Sequence, residues 1–408
     1  MYLTDYEQQM LEGKFGEGVA EAMKIQVAIG EALGAECMVE ISRAHEAFAG
    51  YESCRWFLRM LADKGARCRV PTTCNPIYDF EYLESVGIPV PEEDKMSVRE
   101  TIDLRKRLGI IQTDSCTPYL QDNIPSFGEV VGFAESSATP YVNSVCGGRT
   151  HRESANSALA AGITGRVPLY GLLLDDNRKG NLLVKVAANL RDDYDYHLLG
   201  YTVGKEAGAG IPVFTGISSR RPSPAELTSL GTQLATSGAV GMYHIVGFTP
   251  EAPNLEAAFG GKSPGKELTV SDADLQNTQE TLSSERGKID FVMFGCPHYN
   301  ITQVQDVARL LEGKTIKKGV QLWVLTSFST KELARRMGSL DIINKAGGHI
   351  IANTCSDMMC WERLYKGKMG MTDSPKAYYY NLHRGINFML RRRAECIEAT
   401  LKGEVGCQ

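Results

Sequence analysis

From residue 269 to 353 the chain alternates regular runs of two kinds. Helical spacing over 271–284, 302–312 and 330–346 is interleaved with strand-like runs at 289–295, 320–325 and 349–353. Strands separated by a helix cannot close as hairpins, so successive strands must run parallel through right-handed crossovers. A parallel sheet covered by helices collects its binding residues at the carboxyl ends of its strands. Two of these runs lead straight into cysteines: Phe291-Val292-Met293-Phe294-Gly295 into Cys296, and His349-Ile350-Ile351-Ala352-Asn353-Thr354 into Cys355.

The N-terminal part repeats the pattern. Helices are expected over 5–11, 18–33, 53–64 and 98–108, and strands over 37–41, 67–70 and 110–112. The last strand runs into Thr113-Asp114-Ser115-Cys116-Thr117-Pro118-Tyr119, placing a third cysteine beyond a strand end. Pro71 to Pro76 reads as a loop rich in hydroxyl and amide groups. Residues 135–152 combine serines, glycines and arginines without clear periodicity, as suits a loop that presents donors to an anion. A short helix follows over 154–161. Residues 166–215 read as strand-rich, with a turn at 175–180. A helix over 223–236, a strand over 240–246 containing His244, and a Pro/Gly-rich loop over 249–267 complete the middle. The expected architecture is α/β, with parallel βαβ units in three parts, 1–165, 166–268 and 269–408.

Composition narrows the function. Against 44 Lys and Arg stand 49 Asp and Glu, a net charge of −5, which argues against a nucleic-acid surface despite Arg391-Arg392-Arg393. No apolar run approaches the roughly 18 residues of a membrane span, and the first residues lack a signal-peptide pattern, so a cytoplasmic, membrane-free location is expected. Eleven cysteines without a Cys-x-x-Cys pair do not read as a disulfide framework or a zinc ribbon.

Three strand-end thiolates can hold an iron–sulfur cluster, a zinc ion, or nothing, since free cysteine is a common buried residue. A cluster with three protein ligands leaves one iron open to a substrate hydroxyl, the chemistry of a dehydratase. Zinc would make a metal-stabilised, non-catalytic subunit. A third reading makes Cys116 a nucleophile.

Motifs along nearly the whole chain carry a resemblance. Ser115-Cys116-Thr117-Pro118-Tyr119, Ala134-Glu135-Ser136-Ser137, Asn143-Ser144-Val145, Arg149-Thr150, Thr164-Gly165-Arg166, His244-Ile245-Val246-Gly247, Thr249-Pro250-Glu251, Gly295-Cys296-Pro297-His298 and Thr354-Cys355 resemble the aconitase X family. The resemblance implies an aconitase-like multi-subdomain fold whose strand-end cysteines line a central cleft. It also implies an iron–sulfur hydro-lyase and the large subunit of a two-chain form, completed by a separate small swivelling subunit. Cys116, Cys296 and Cys355 would then be cluster ligands, with Cys146 a competitor. Glu135, Ser136 and Lys376 would be catalytic. Ala49, Gly50, Thr73, Asn75, Ser137 and Arg149 would meet the substrate. Arg152 either holds its loop or binds a carboxylate, His298 lies near the cluster, and His244 reads as a core residue. Cys37, Cys54, Cys68, Cys396 and Cys407 read as structural or exposed thiols. Family members acting on phosphomevalonate carry Gly-Val-Ser where this chain has Phe48-Ala49-Gly50, and leucine where it has Cys74. The hydroxyl is gone and an aromatic ring is expected in its place. A small hydroxy acid such as cis-3-hydroxy-L-proline is therefore expected ahead of phosphomevalonate.

Overall fold

The computed structural model describes residues 1–217, 220–283 and 287–405. It divides into two compact units, neither a single stretch of chain. One comprises Met1–Ile77, Ile88–Asn181 and Gly241–Pro264; the other comprises Tyr78–Gly87, Leu182–Val240 and Gly265–Gln408. The middle part expected over 166–268 is shared between them. Among the described residues, no helix is long and apolar enough to cross a membrane.

The second unit holds the parallel sheet that the alternating pattern predicts. Its strands lie in the order His349–Ala352, Gln321–Thr326, Phe291–Tyr299, Met369–Thr372 and Asn387–Leu390, every pairing parallel. In order along the chain this is 3-2-1-4-5, a doubly wound sheet. Its switch point lies between Phe291–Tyr299 and Met369–Thr372, where the crevice of such a sheet opens. The covering helices follow from their periodicity. Ile301–Leu311 buries Val304, Val307, Ala308 and Leu311 on one stripe, with Val304, Val307 and Leu311 each worth about 1.5–3 kcal/mol. Its start is set by Asn300 and Gln303, which cap each other's backbone N–H groups. The helix expected over 330–346 is two, Phe328–Arg336 and Ser339–Lys345, broken at Gly338 with φ 77°. A smaller parallel sheet pairs Leu182–Val186 with Pro212–Thr215 and Lys266–Val270. The strand-rich reading of 166–215 misses a helix here, Asp193–Ala207, whose Asp192 side chain accepts from Asp195 N. The helix expected over 271–284 is Asp272–Thr281; residue 284 lies outside the described residues.

In the first unit a three-stranded parallel sheet is central. Ala44–Glu46 lies between Thr72–Cys74 and Gly132–Phe133. The stretch expected as a loop therefore contributes a strand, while the strand expected at 67–70 does not form. The strand expected at 110–112 is reduced to one bridge, Thr73 to Ile111. Helix Ala155–Thr164 packs on the sheet so closely that a Cβ at Gly162 would lie 2.5 Å from Thr72 Oγ1.

Candidate active site

The two faces of the central strand Ala44–Glu46 carry different chemistry, because successive side chains point to opposite sides. On one side Glu46 meets the helix Glu92–Arg107. Arg105, fully buried, places Nε 2.8 Å from Glu46 Oε1 and donates from Nη1 to Asp114 Oδ1 at 2.9 Å. Cys74 Sγ donates to the same Asp114 oxygen at 3.4 Å. Burial raises both carboxyls, Glu46 and Asp114, and Arg105 opposes it. The group also grips the next loop: Phe48 N donates to Glu46 Oε2 at 2.6 Å and Arg105 Nη2 donates to Phe48 O at 3.4 Å. Arg55 Nη1 donates to Gly50 O at 2.6 Å. The expected aromatic intrusion does not occur, because the Phe48 side chain is buried with its ring centroid 5.8 Å from that of Phe57. Ala49 and Gly50 are left as a side-chain-poor loop.

The other side carries His45. Its Nδ1 lies 2.8 Å from Thr73 Oγ1 and its Nε2 2.9 Å from Asn75 Oδ1. Asn75 Nδ2 donates to Glu135 Oε2 at 2.7 Å. The Ser136 hydroxyl donates to the other carboxylate oxygen, Glu135 Oε1, at 3.0 Å, and Ser137 N donates to it at 3.3 Å. Glu135 itself has φ 91°, a conformation that a side chain disfavours and that collects at functional positions. The Ser137 hydroxyl donates to the carbonyl of Cys116, so it positions the backbone of a proposed ligand. The sequence reading thus finds Asn75, Thr73, Glu135, Ser136 and Ser137, which the structure brings together, and misses His45 and Asn123, which join them.

Arg149 is engaged elsewhere: Nη1 donates to Leu173 O at 2.7 Å and Nη2 pairs with Asp175. The more central arginine in this loop is Arg178, fully buried, which donates to the carbonyls of Asn143, Gly148 and Leu172 and pairs with Glu251. His244 is a buried core residue, with Nε2 2.8 Å from the Arg178 carbonyl but Nδ1 left without a hydrogen-bond partner among the described residues, so it is only half satisfied.

In the second unit, Cys296 lies within the strand that flanks the switch point. The Ser374 hydroxyl, just after Met369–Thr372 across that point, donates to the Cys296 carbonyl. Lys376 follows in the first turn of Pro375–Asn381 and is buried. His298 Nε2 lies 2.9 Å from the carbonyl of Thr354, which precedes Cys355. The Cys355 thiol is pushed up to about 12, chiefly by burial, then by the adjacent Cys296 and Asp357, with Lys376 opposing. A thiol raised by burial and by a neighbouring cysteine suits a cation that would draw it into the thiolate form. Among the described residues, no three His, Cys, Asp or Glu side chains gather as a metal site. Cys396 is buried, Cys37, Cys54 and Cys68 are partly so, and Cys407 lies outside the described residues.

One backbone device recurs at all three cysteines. A residue with positive φ precedes each by one or two positions: Asp114 at 42°, Gly295 at 97° and Asn353 at 59°. Each turns the chain out of an extended path before the thiol. Gly295 is obligatory, since a Cβ there would lie 2.0 Å from the Leu325 carbonyl oxygen.

Comparison with known proteins identifies the family. Family models described as the aconitase X first, second and third domains match residues 1–176, 180–280 and 289–402. The phosphomevalonate dehydratase large subunit of Thermococcus kodakarensis is 35% identical over 400 residues, covering 96% of this chain and 97% of that one. That of Methanothermobacter thermautotrophicus is 37% identical, covering 93% and 94%. A cis-3-hydroxy-L-proline dehydratase of Pseudomonas aeruginosa is 33% identical, covering 98% of this chain but 70% of its own length. The holo-form crystal structure of Thermococcus kodakaraensis aconitase X superposes with a TM-score of 0.87 at 33% identity, covering 98% and 100%. These relatives define a dehydratase, an enzyme of the hydro-lyase class. The chain belongs to the aconitase X family.

Proposed function

We propose that the chain is the large subunit of a two-chain iron–sulfur hydro-lyase that removes water from a small hydroxy acid such as cis-3-hydroxy-L-proline. The observation that carries the substrate is the loop Phe48–Gly50. Its Phe48 ring is buried, the backbone groups of Phe48 and the Gly50 carbonyl are engaged, and it offers no side-chain hydroxyl or cation to a phosphate. Cys116, Cys296 and Cys355 would hold the cluster. When bound, a cluster with three protein ligands supplies an open iron as Lewis acid for the departing hydroxyl. Glu135, held by Asn75 and Ser136, serves as the proton-transfer carboxylate, and Lys376 neutralises the substrate anion. Support for a separate small subunit comes from the relatives named large subunits, of which this chain spans nearly the full length. The enzyme works in the cytoplasm.

A second reading, 5-phosphomevalonate, is favoured by the same near-complete coverage, since the hydroxyproline dehydratases are longer chains. The test is to co-express the chain with its small subunit, reconstitute iron and sulfide without oxygen, and assay both substrates. Dehydration of cis-3-hydroxy-L-proline alone supports the first reading, and of 5-phosphomevalonate alone the second. A complex that takes up no iron and shows no visible absorption sinks both.

A further inference from the structure

We propose that His45 is a positioning residue: its Nε2–H holds the Oδ1 end of the Asn75 amide, keeping the Nδ2 end on Glu135, and so aims that carboxylate. The inference rests on the role given to Glu135 above. The direction of the hydrogen bonds in the chain Asn123–Thr73–His45–Asn75–Glu135 is set from its Glu135 end, and the Asn123 end is consistent with it. At one end the Ala44 carbonyl can only accept, so Asn123 presents Nδ2 to it at 2.9 Å. The second hydrogen of that nitrogen goes to Thr73 Oγ1 at 2.6 Å. The Thr73 hydroxyl therefore accepts from Asn123 and retains its own hydrogen, which it can give to His45 Nδ1, 2.8 Å away. At the other end the Glu135 carboxylate can only accept. Asn75 must turn Nδ2 towards it, which leaves Oδ1 facing His45 Nε2 at 2.9 Å.

The Asn75 constraint selects one form of the ring, neutral, with the hydrogen on Nε2 and the lone pair on Nδ1, which the Thr73 hydroxyl can meet with its hydrogen. A ring with its hydrogen on Nδ1 would set two lone pairs against each other at Asn75 and break the sequence. The surroundings favour the neutral ring, since His45 is fully buried and burial pushes it down to about 4. The strand geometry supplies the placement. His45 and Thr73 are partners in the parallel register, and Asn75 follows Thr73 by two residues on the same face. His45 does not itself reach Glu135, so its contribution is the orientation of the amide.

The experiment has two independent arms. In the full chain labelled with 15N-histidine, the His45 resonances, assigned by their loss in H45Q, are expected to report the Nε2-protonated tautomer. In the reconstituted complex, with whichever of cis-3-hydroxy-L-proline and 5-phosphomevalonate the wild type dehydrates, H45N and H45Q are compared. Asparagine keeps an acceptor near Nδ1 but puts nothing at Nε2, whereas glutamine can return a donor to Asn75. H45N is expected to lower kcat roughly 10- to 100-fold, the worth of one charge-assisted hydrogen bond, with a smaller change in KM. H45Q is expected to recover much of that loss. An Nδ1-protonated ring, or equal losses in the two amide variants, would overturn the proposal. If the wild type dehydrates neither substrate, the proposed function fails while the tautomer still decides the relay.

Discussion

Replacing Arg105 by methionine keeps most of the side-chain volume and removes the cation that pairs with two buried carboxyls, Glu46 and Asp114. Taking one partner from a buried ion pair costs about 3–5 kcal/mol, because the remaining charge is left without compensation. At roughly 2–4 °C per kcal/mol for a body of this size, the thermal midpoint of R105M should fall by about 6–20 °C at pH 8. The deficit should depend on pH with a definite sign. Burial already raises Glu46 and Asp114 above the usual carboxylate range, and losing the guanidinium raises them further. A carboxyl raised in the folded state binds its proton more tightly there than when unfolded. Its stabilisation is full below the unfolded pKa and is lost as pH rises through the folded one. R105M should therefore recover part of its stability when the pH is lowered from about 8 to about 5, as the two raised groups move towards their neutral forms. Urea unfolding at both pH values measures this. A loss below about 1 kcal/mol at pH 8, or the same loss at both, would refute the account of a charge-compensating arginine.

Two further perturbations follow from the second unit. G295A forces a Cβ against the Leu325 carbonyl at a positive φ and should cost at least about 1–3 kcal/mol, read by chemical denaturation; an unchanged midpoint would contradict the close approach. Asp373 is pushed up to about 6, by burial above all, with Arg393 opposing. Its stabilisation is present below the unfolded pKa of about 3.9 and lost as pH rises through about 6, so D373N should flatten the pH dependence of stability over that interval, and an unaltered slope would refute it.

The parallel sheet of the second unit is legible because both faces of its strands are covered and each helix between them shows a single apolar stripe. Cys296 and Cys355 are legible for the same reason, as polar events that follow continuous apolar runs. The helix Asp193–Ala207 is hidden by its tyrosines and valine, which weigh towards strand. Its signal was the Asp192 cap with Asp195 three residues on. His45 could not be found by periodicity, since its strand has three residues and all three are buried. Arg105 reads as one of three basic residues closing a helix, Arg105-Lys106-Arg107, a favourable place for exposed cations. Only the register of the packed helix shows that the first of the three points inward. Among the expected substrate contacts, Thr73 has its hydroxyl occupied within the His45 chain, and Arg149 is tied to Leu173 and Asp175. A list of residue types cannot reveal prior commitments of that kind.

The division into two interleaved units has a consequence for biosynthesis. The chain passes from one unit to the other at residues 77/78, 87/88, 181/182, 240/241 and 264/265. A ribosome releasing the chain from its N-terminus supplies the last strip of the first unit, Gly241–Pro264, only after Leu182–Val240 of the second has emerged. Neither body can finish while the other waits to begin, so the two must mature as overlapping events. A cut at any single peptide bond between residues 78 and 264 leaves both fragments lacking part of the first unit. The protein cannot be divided into independent halves by trimming its ends, and a library of terminal truncations should yield no soluble fragment corresponding to the first unit alone.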